Sequence, residues 1–133
     1  MKYFVLEEFV DKKTYNIFKE KCRWFIDDRL ISVMDRLREN LGKPIVINDW
    51  KWSGNNQWRG LRTIECEIGT DYSLHRLGKA CDFNVRNTAS SEVREHILEN
   101  LELYPEIKGI ELGISWVHID VRNSDELIIF DNL

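Results

Sequence analysis

The chain has 133 residues, 43% of them hydrophobic and 32% charged, with a formal net charge of -4. That length suits one domain with a core of its own, expected to span 1–133. The acidic balance offers phosphates no basic surface, so no nucleic-acid partner is expected. The opening MKYFVLEEFVDKK does not read as a secretory signal, because Glu7 and Glu8 break its apolar run and no small-residue cleavage site follows. No run approaches the ~18 apolar residues of a membrane span. Synthesis in the cytoplasm, as a monomer, is the expectation. Cys22, Cys66 and Cys81 form no C-x-x-C pair, so no thiolate site is indicated. Cys81 reads as a small buried hydrophobe.

The first element is helical over about 11–41. Asp11 is placed to cap it, and Tyr15, Phe18, Cys22 and Phe25 followed by Leu30, Val33, Met34, Leu37 and Leu41 keep helical spacing, as one bent helix or two. Gly42 and Pro44 stop it. PIVIND (44–49) reads as a buried strand. Residues 50–72 lose periodicity and carry Trp50, Trp52 and Trp58. A loop of this length in a compact domain is usually functional or disordered, and its tryptophans argue against disorder. KACDFNV (79–85) alternates as a strand, with Ala80, Asp82 and Asn84 on one side and Cys81, Phe83 and Val85 on the other. A helix starts at Ser90 or Ser91 and runs to about Leu103. Three strands follow, near 107–112, 115–122 and 126–130. Helices first and hairpin-joined strands after predict an α+β fold, with N-terminal helices packed on a small antiparallel sheet.

SLHRLGKACDF carries the chemistry. His75 ends the loop, Gly78 permits a tight turn, and Asp82 follows in the strand beside the small Ala80. Histidine and aspartate supply nitrogen and oxygen ligands to zinc. SWVHIDVR supplies a third: His118 shares a strand face with Trp116, Asp120 and Arg122, while Val117, Ile119 and Val121 pack on the other. Two histidines and a carboxylate leave a fourth tetrahedral position open, the pattern of a catalytic Zn2+ site. His96 lies on a helix of mixed charge with no partner motif and reads as a packed or solvated histidine.

SLHRLGKACD resembles the Ser-x-His-x-x-Gly-x-Ala-x-Asp signature of the D-alanyl-D-alanine carboxypeptidase and hedgehog-type zinc peptidases, with Ser73, His75, Gly78, Ala80 and Asp82 at its fixed positions. WVHIDVR is similar to the family's second ligand segment, and RENLGKPIVIN to its helix–Gly–Lys–Pro–strand entry. The resemblance covers about residues 30–122 and is strongest to small phage or prophage members. It implies a hedgehog/DD-peptidase-like fold and a zinc-dependent peptidase cutting peptidoglycan stem peptides, as a D,D-carboxypeptidase or an L-Ala–D-Glu endopeptidase. Access to the cell wall would then follow phage-dependent release. The alternative is a non-catalytic zinc module of the same fold, binding a partner or serving a phage structure.

For the base, many members place Glu three residues before the last ligand, where this chain has Ser115; others place His two before it, where this chain has Trp116. Two acids remain. Glu111 shares the His118 face if a four-residue loop, Leu112–Ser115, pairs it with Trp116, and hedgehog-type members also carry a glutamate before this turn. Asp120 shares the face directly, as a base or as the partner that orients a ligand histidine. Glu111 is favoured. RGLR resembles the family's Ser-Gly-Tyr-Arg element and nominates Arg62 as the cationic catalytic residue, with Lys51 and Arg59 as lesser candidates. Ser73, from the motif, and Trp116, as an aromatic wall, are the substrate-binding candidates.

Overall fold

The computed structural model describes residues 1–131; the last two residues of the expected 1–133 domain lie outside the described residues. Among the described residues are three α-helices, α1 (Lys12–Phe18), α2 (Asp28–Leu41) and α3 (Ser90–Glu99). They accompany one mixed five-stranded sheet: β1 (Ile45–Val46), β2 (Ala80–Val85), β3 (Gly109–Leu112), β4 (Val117–Asp120) and β5 (Ile128–Asp131), in the order β1-β2-β4-β3-β5.

The helical segment expected over 11–41 divides in two. Asp11 caps α1 by accepting from the Thr14 N–H. At Lys19 the backbone turns to φ 50°, which a right-handed α-helix cannot continue. A 3-10 stretch, Lys19–Phe25, carries the chain on. Asp27 then caps α2 through the Arg29 N–H while its own N–H bonds the Gly78 carbonyl, tying the helix start to the turn after His75. Leu30, Val33, Met34 and Leu37 form the buried stripe, and Gly42, at φ 66°, ends the helix in the left-handed conformation that glycine adopts without strain.

β1 is shorter than the strand expected at 44–49. Beyond Val46 the polar groups turn to neighbouring loops: Asn48 bonds the Val10 carbonyl and the Arg59 N–H, and Asp49 accepts from the Asn56 N–H. The sheet is also not wholly antiparallel. β4 is paired on both edges, by β2 and by β3, so β5 takes the outer edge of β3, where it runs parallel to it. The third helix is shorter too, ending at Glu99 before a 3-10 turn at Leu101–Leu103.

The alternation read in KACDFNV and SWVHIDVR sorts the sheet into two faces. Cys81, Phe83, Ile110, Val117 and Ile119 are fully buried and join α2 and α3 side chains in one hydrophobic core. Asp82, His118 and Glu111 lie on the opposite face. No helix among the described residues is long and apolar enough to cross a membrane.

One acid in a 3-10 turn near the N-terminus, Leu6–Glu8, is set against the packing around it. Glu8 is 9% exposed. Burial raises its pKa from 4.5 to about 7; the Val5 N–H opposes the rise and the Glu7 charge adds to it. The folded state therefore holds a proton that the unfolded state has lost. The associated stabilisation is complete below pH 4.5 and disappears as pH rises through 7. Urea titrations at pH 5 and pH 8 should show wild type losing on the order of 2 kcal/mol more than Glu8→Gln over this interval. Equal losses in the two proteins would place the ionised Glu8 in water.

Candidate metal centre

Three buried donors converge where the loop meets the sheet. His75, Asp82 and His118 are 3%, 6% and 8% exposed, and each offers a ligand atom within 4.8 Å of the other two. Asp82 comes from β2 and His118 from β4, directly opposed in the antiparallel ladder. His75 arrives from the loop. The turn that brings it there depends on Gly78: its φ is 69°, and a Cβ would sit 1.9 Å from the Phe25 carbonyl oxygen.

The ring orientations are fixed from behind. The carbonyl of Gly60 accepts from His75 Nδ1 at 2.9 Å, leaving Nε2 directed to Asp82 Oδ1 at 3.3 Å. Gly60 reaches this place because its backbone lies against Phe9, where a Cβ would meet the Phe9 oxygen at 2.3 Å. Asp120 Oδ2 lies 3.0 Å from His118 Nε2, leaving Nδ1 facing Asp82 Oδ1 at 2.9 Å. With Nδ1 of His75 and Nε2 of His118 facing these acceptors, the other ring nitrogen of each points inward, where it would offer its lone pair to a metal. Two nitrogens and one carboxylate oxygen with their outer partners in place form a donor set that fits a zinc-type cation.

The electrostatics point the same way. Burial disfavours a charged His118, but hydrogen bonds to Asp120 and Asp82 outweigh it and raise its pKa to about 9. Burial pushes the Asp82 carboxyl up, and the two histidines more than reverse that, holding it well below the usual carboxylate range. The centre stabilises positive charge, and without a metal a protonated His118, hydrogen-bonded to Asp82 and Asp120, supplies it.

Asp120 is fully buried behind His118, in a slot between Ala80 on β2 and Gly109 on β3. A Cβ on Gly109 would fall 2.2 Å from its carboxylate. Arg122 donates to both its oxygens, at 2.7 and 2.8 Å, and burial's upward pull on its pKa is overcome to leave it at about 2. Glu111 pairs with His118 across the β3–β4 ladder, not with Trp116; the connecting loop is 113–116, displaced by one residue from that expected. The partner moves by two positions, so Glu111 stays on the metal-centre face. Its carboxylate forms no ion pair or hydrogen bond among the described residues and lines a cleft of about 600 Å3 over the donors. Ser73, Arg62 and Trp116 line the same cleft. The Ser73 hydroxyl accepts from the His75 N–H at 3.3 Å.

Arg62 is anchored by the Trp58 carbonyl and lies 3.2 Å from Asp82 Oδ2, so its first contact is with the ligand carboxylate. Lys51 is drawn away to Glu7. Arg59 borders an adjoining hollow that shares Arg62, Asp82 and Trp116 with the main cleft. His96 stands apart, its Nε2 2.6 Å from the Tyr104 hydroxyl. Trp50 pins the loop by donating to the Val10 carbonyl.

Sequence reasoning missed the Gly60 carbonyl, the slot made by Gly109, and Phe130. Phe130 opposes Glu111 from β5, with its ring 5.8 Å from that of His118 and the Arg122 guanidinium 5.2 Å from its own centre. A parallel outer strand leaves no local signal, whereas Gly109 could have been noticed as a glycine opening a strand. In comparisons with protein-family models, curated proteins and solved structures, nothing matches this chain.

Proposed function

We propose that the protein is a zinc-dependent peptidase that hydrolyses peptide bonds in peptidoglycan stem peptides, with His75, Asp82 and His118 as the metal ligands. The observation that carries this reading is the pairing of an uncommitted acid, Glu111, with a buried, pre-oriented His–Asp–His donor set in one open cleft. A bound zinc ion would supply Lewis acidity to a water molecule and to the scissile carbonyl. Glu111 is the base: it takes the proton of the attacking water and returns it to the leaving amine. Asp120, closed off from the cleft and held by Arg122, keeps His118 in the tautomer that presents Nδ1. Arg62 steadies Asp82 Oδ2 and faces the cleft, where its charge opposes the developing oxyanion. Trp116 and Ser73 line the space for the peptide.

A second reading, a zinc-binding module without catalysis, draws on Ser115. That residue stands where many members of the family it resembles carry the base, and its carbonyl is occupied by Asn84 and Ser90. One experiment separates the two. Metal analysis of the purified protein should find about one zinc per chain. Digestion of purified peptidoglycan, read by mass spectrometry, should then release peptide fragments with zinc and none after chelation. Full zinc content without any cleaved peptide would favour the binding module.

A further inference from the structure

The hollow beside the metal centre holds a cation that the chemistry above does not use. Arg59 lies in it with Gln57, Trp58, Asn84 and Trp116 around it. Its guanidinium donates to the side-chain oxygen of Asn84 and, at 3.4 Å, to the Val46 carbonyl. It makes no ion pair among the described residues. The one carboxylate among the residues lining this hollow, Asp82, is already engaged by His75 and His118 through Oδ1 and by Arg62 through Oδ2. Arg59 is half-buried, and its guanidinium forms no ion pair with a carboxylate among the described residues. Such a group gains most from an incoming anion.

The position is rigid. The Arg59 N–H donates to Asn48 Oδ1 at 2.9 Å, and its carbonyl accepts from the Asp82 N–H at 2.7 Å. The amide nitrogen of Asn84, which orients the guanidinium, is tied to the Ser115 carbonyl. The cation is thus joined through one backbone hydrogen bond to a metal ligand, and little ordering is left to be done when a ligand arrives. A planar fork in a hollow also lined by Trp58 and Trp116 suits a carboxylate, which it can grip with two parallel hydrogen bonds.

We propose that Arg59, with Asn84, Trp58 and Trp116, forms a carboxylate-recognising subsite next to the metal centre, so that preferred peptides carry a free carboxylate beside the bond to be cut. This rests on the peptidase reading for its substrate class, and it selects acidic stem peptides over amidated ones.

The test compares two stem tetrapeptides that differ only at the second residue, one bearing a free α-carboxylate and the other the carboxamide. Binding to the protein as purified is measured by calorimetry, and cleavage is followed separately by mass spectrometry. Wild type should bind the acid at least about tenfold more tightly than the amide, the range of a charge-assisted hydrogen bond. Arg59→Gln should bring the ratio to about one, and Arg59→Lys, which keeps the charge and loses the fork, should fall between. Circular dichroism and metal content identify an Arg59→Gln protein that has not folded; Arg59→Lys then carries the comparison. Equal affinity of wild type for both peptides, binding of neither, or a ratio that survives in Arg59→Gln would overturn the subsite. Acid-selective binding lost in Arg59→Gln without any cleavage would leave the subsite standing and sink the peptidase reading alone.

Discussion

His118→Ala, Asp82→Ala and His75→Ala should each weaken zinc binding by more than about 100-fold, beyond the 10–100-fold typical of losing an outer partner. Each removes one of three donors, and the two left cannot close a tetrahedral site. Asp120→Asn is the informative contrast. It keeps the donors but exchanges the carboxylate behind His118 Nε2 for an amide that can present nitrogen to the ring, so affinity should fall within the smaller range. His96→Ala should leave metal content unchanged, since its partners are Tyr104 and Asn100. Competition titration against a chromogenic chelator reads all five. Wild-type affinity in any of the three ligand variants would remove that residue from the donor set.

Glu111→Gln should lower turnover by about 10²–10⁴-fold with zinc still bound, because the shape is kept and the proton acceptor is lost. The prediction depends on register. Glu111 stands opposite His118 on the outer side of the β3–β4 pair, its carboxylate uncommitted in the cleft. Asp120, the other candidate base on this face, has both oxygens occupied and no exposure. Asp120→Asn should therefore act through metal affinity, and added zinc should restore part of its rate. Unchanged turnover in Glu111→Gln, together with an Asp120→Asn defect that saturating zinc does not relieve, would exchange the two roles.

The donor residues were legible because a strand alternates with period two. In KACDFNV and SWVHIDVR that rule alone puts Asp82 and His118 on a face opposite Cys81, Phe83, Val117 and Ile119. Caps and stops were legible for a similar reason: Asp11 and Gly42 satisfy helix ends through their own local chemistry. The break at Lys19 was not, since apolar spacing continues through it while the backbone does not. Nor was the parallel seat of β5, which follows from β4 being enclosed on both edges and not from anything in residues 128–131. The same limit applies at the centre itself. Gly60 and Gly109 act by lacking a side chain, one bringing a carbonyl to His75 and the other clearing room for Asp120.

The division of the sheet into an apolar and a polar face bears on how such a protein drifts over generations. The groups that hold the fold together and those that would do chemistry occupy alternate positions of the same strands. A lineage can exchange Glu111, whose carboxylate has no partner among the described residues, without disturbing Phe83 or Ile119 on the other side. Selection on activity and selection on foldedness thus act on separate sets of codons. If the chain is the peptidase proposed above, a descendant that stopped turning over substrate would keep its shape and its cleft, ready to be recruited as a receptor for that ligand.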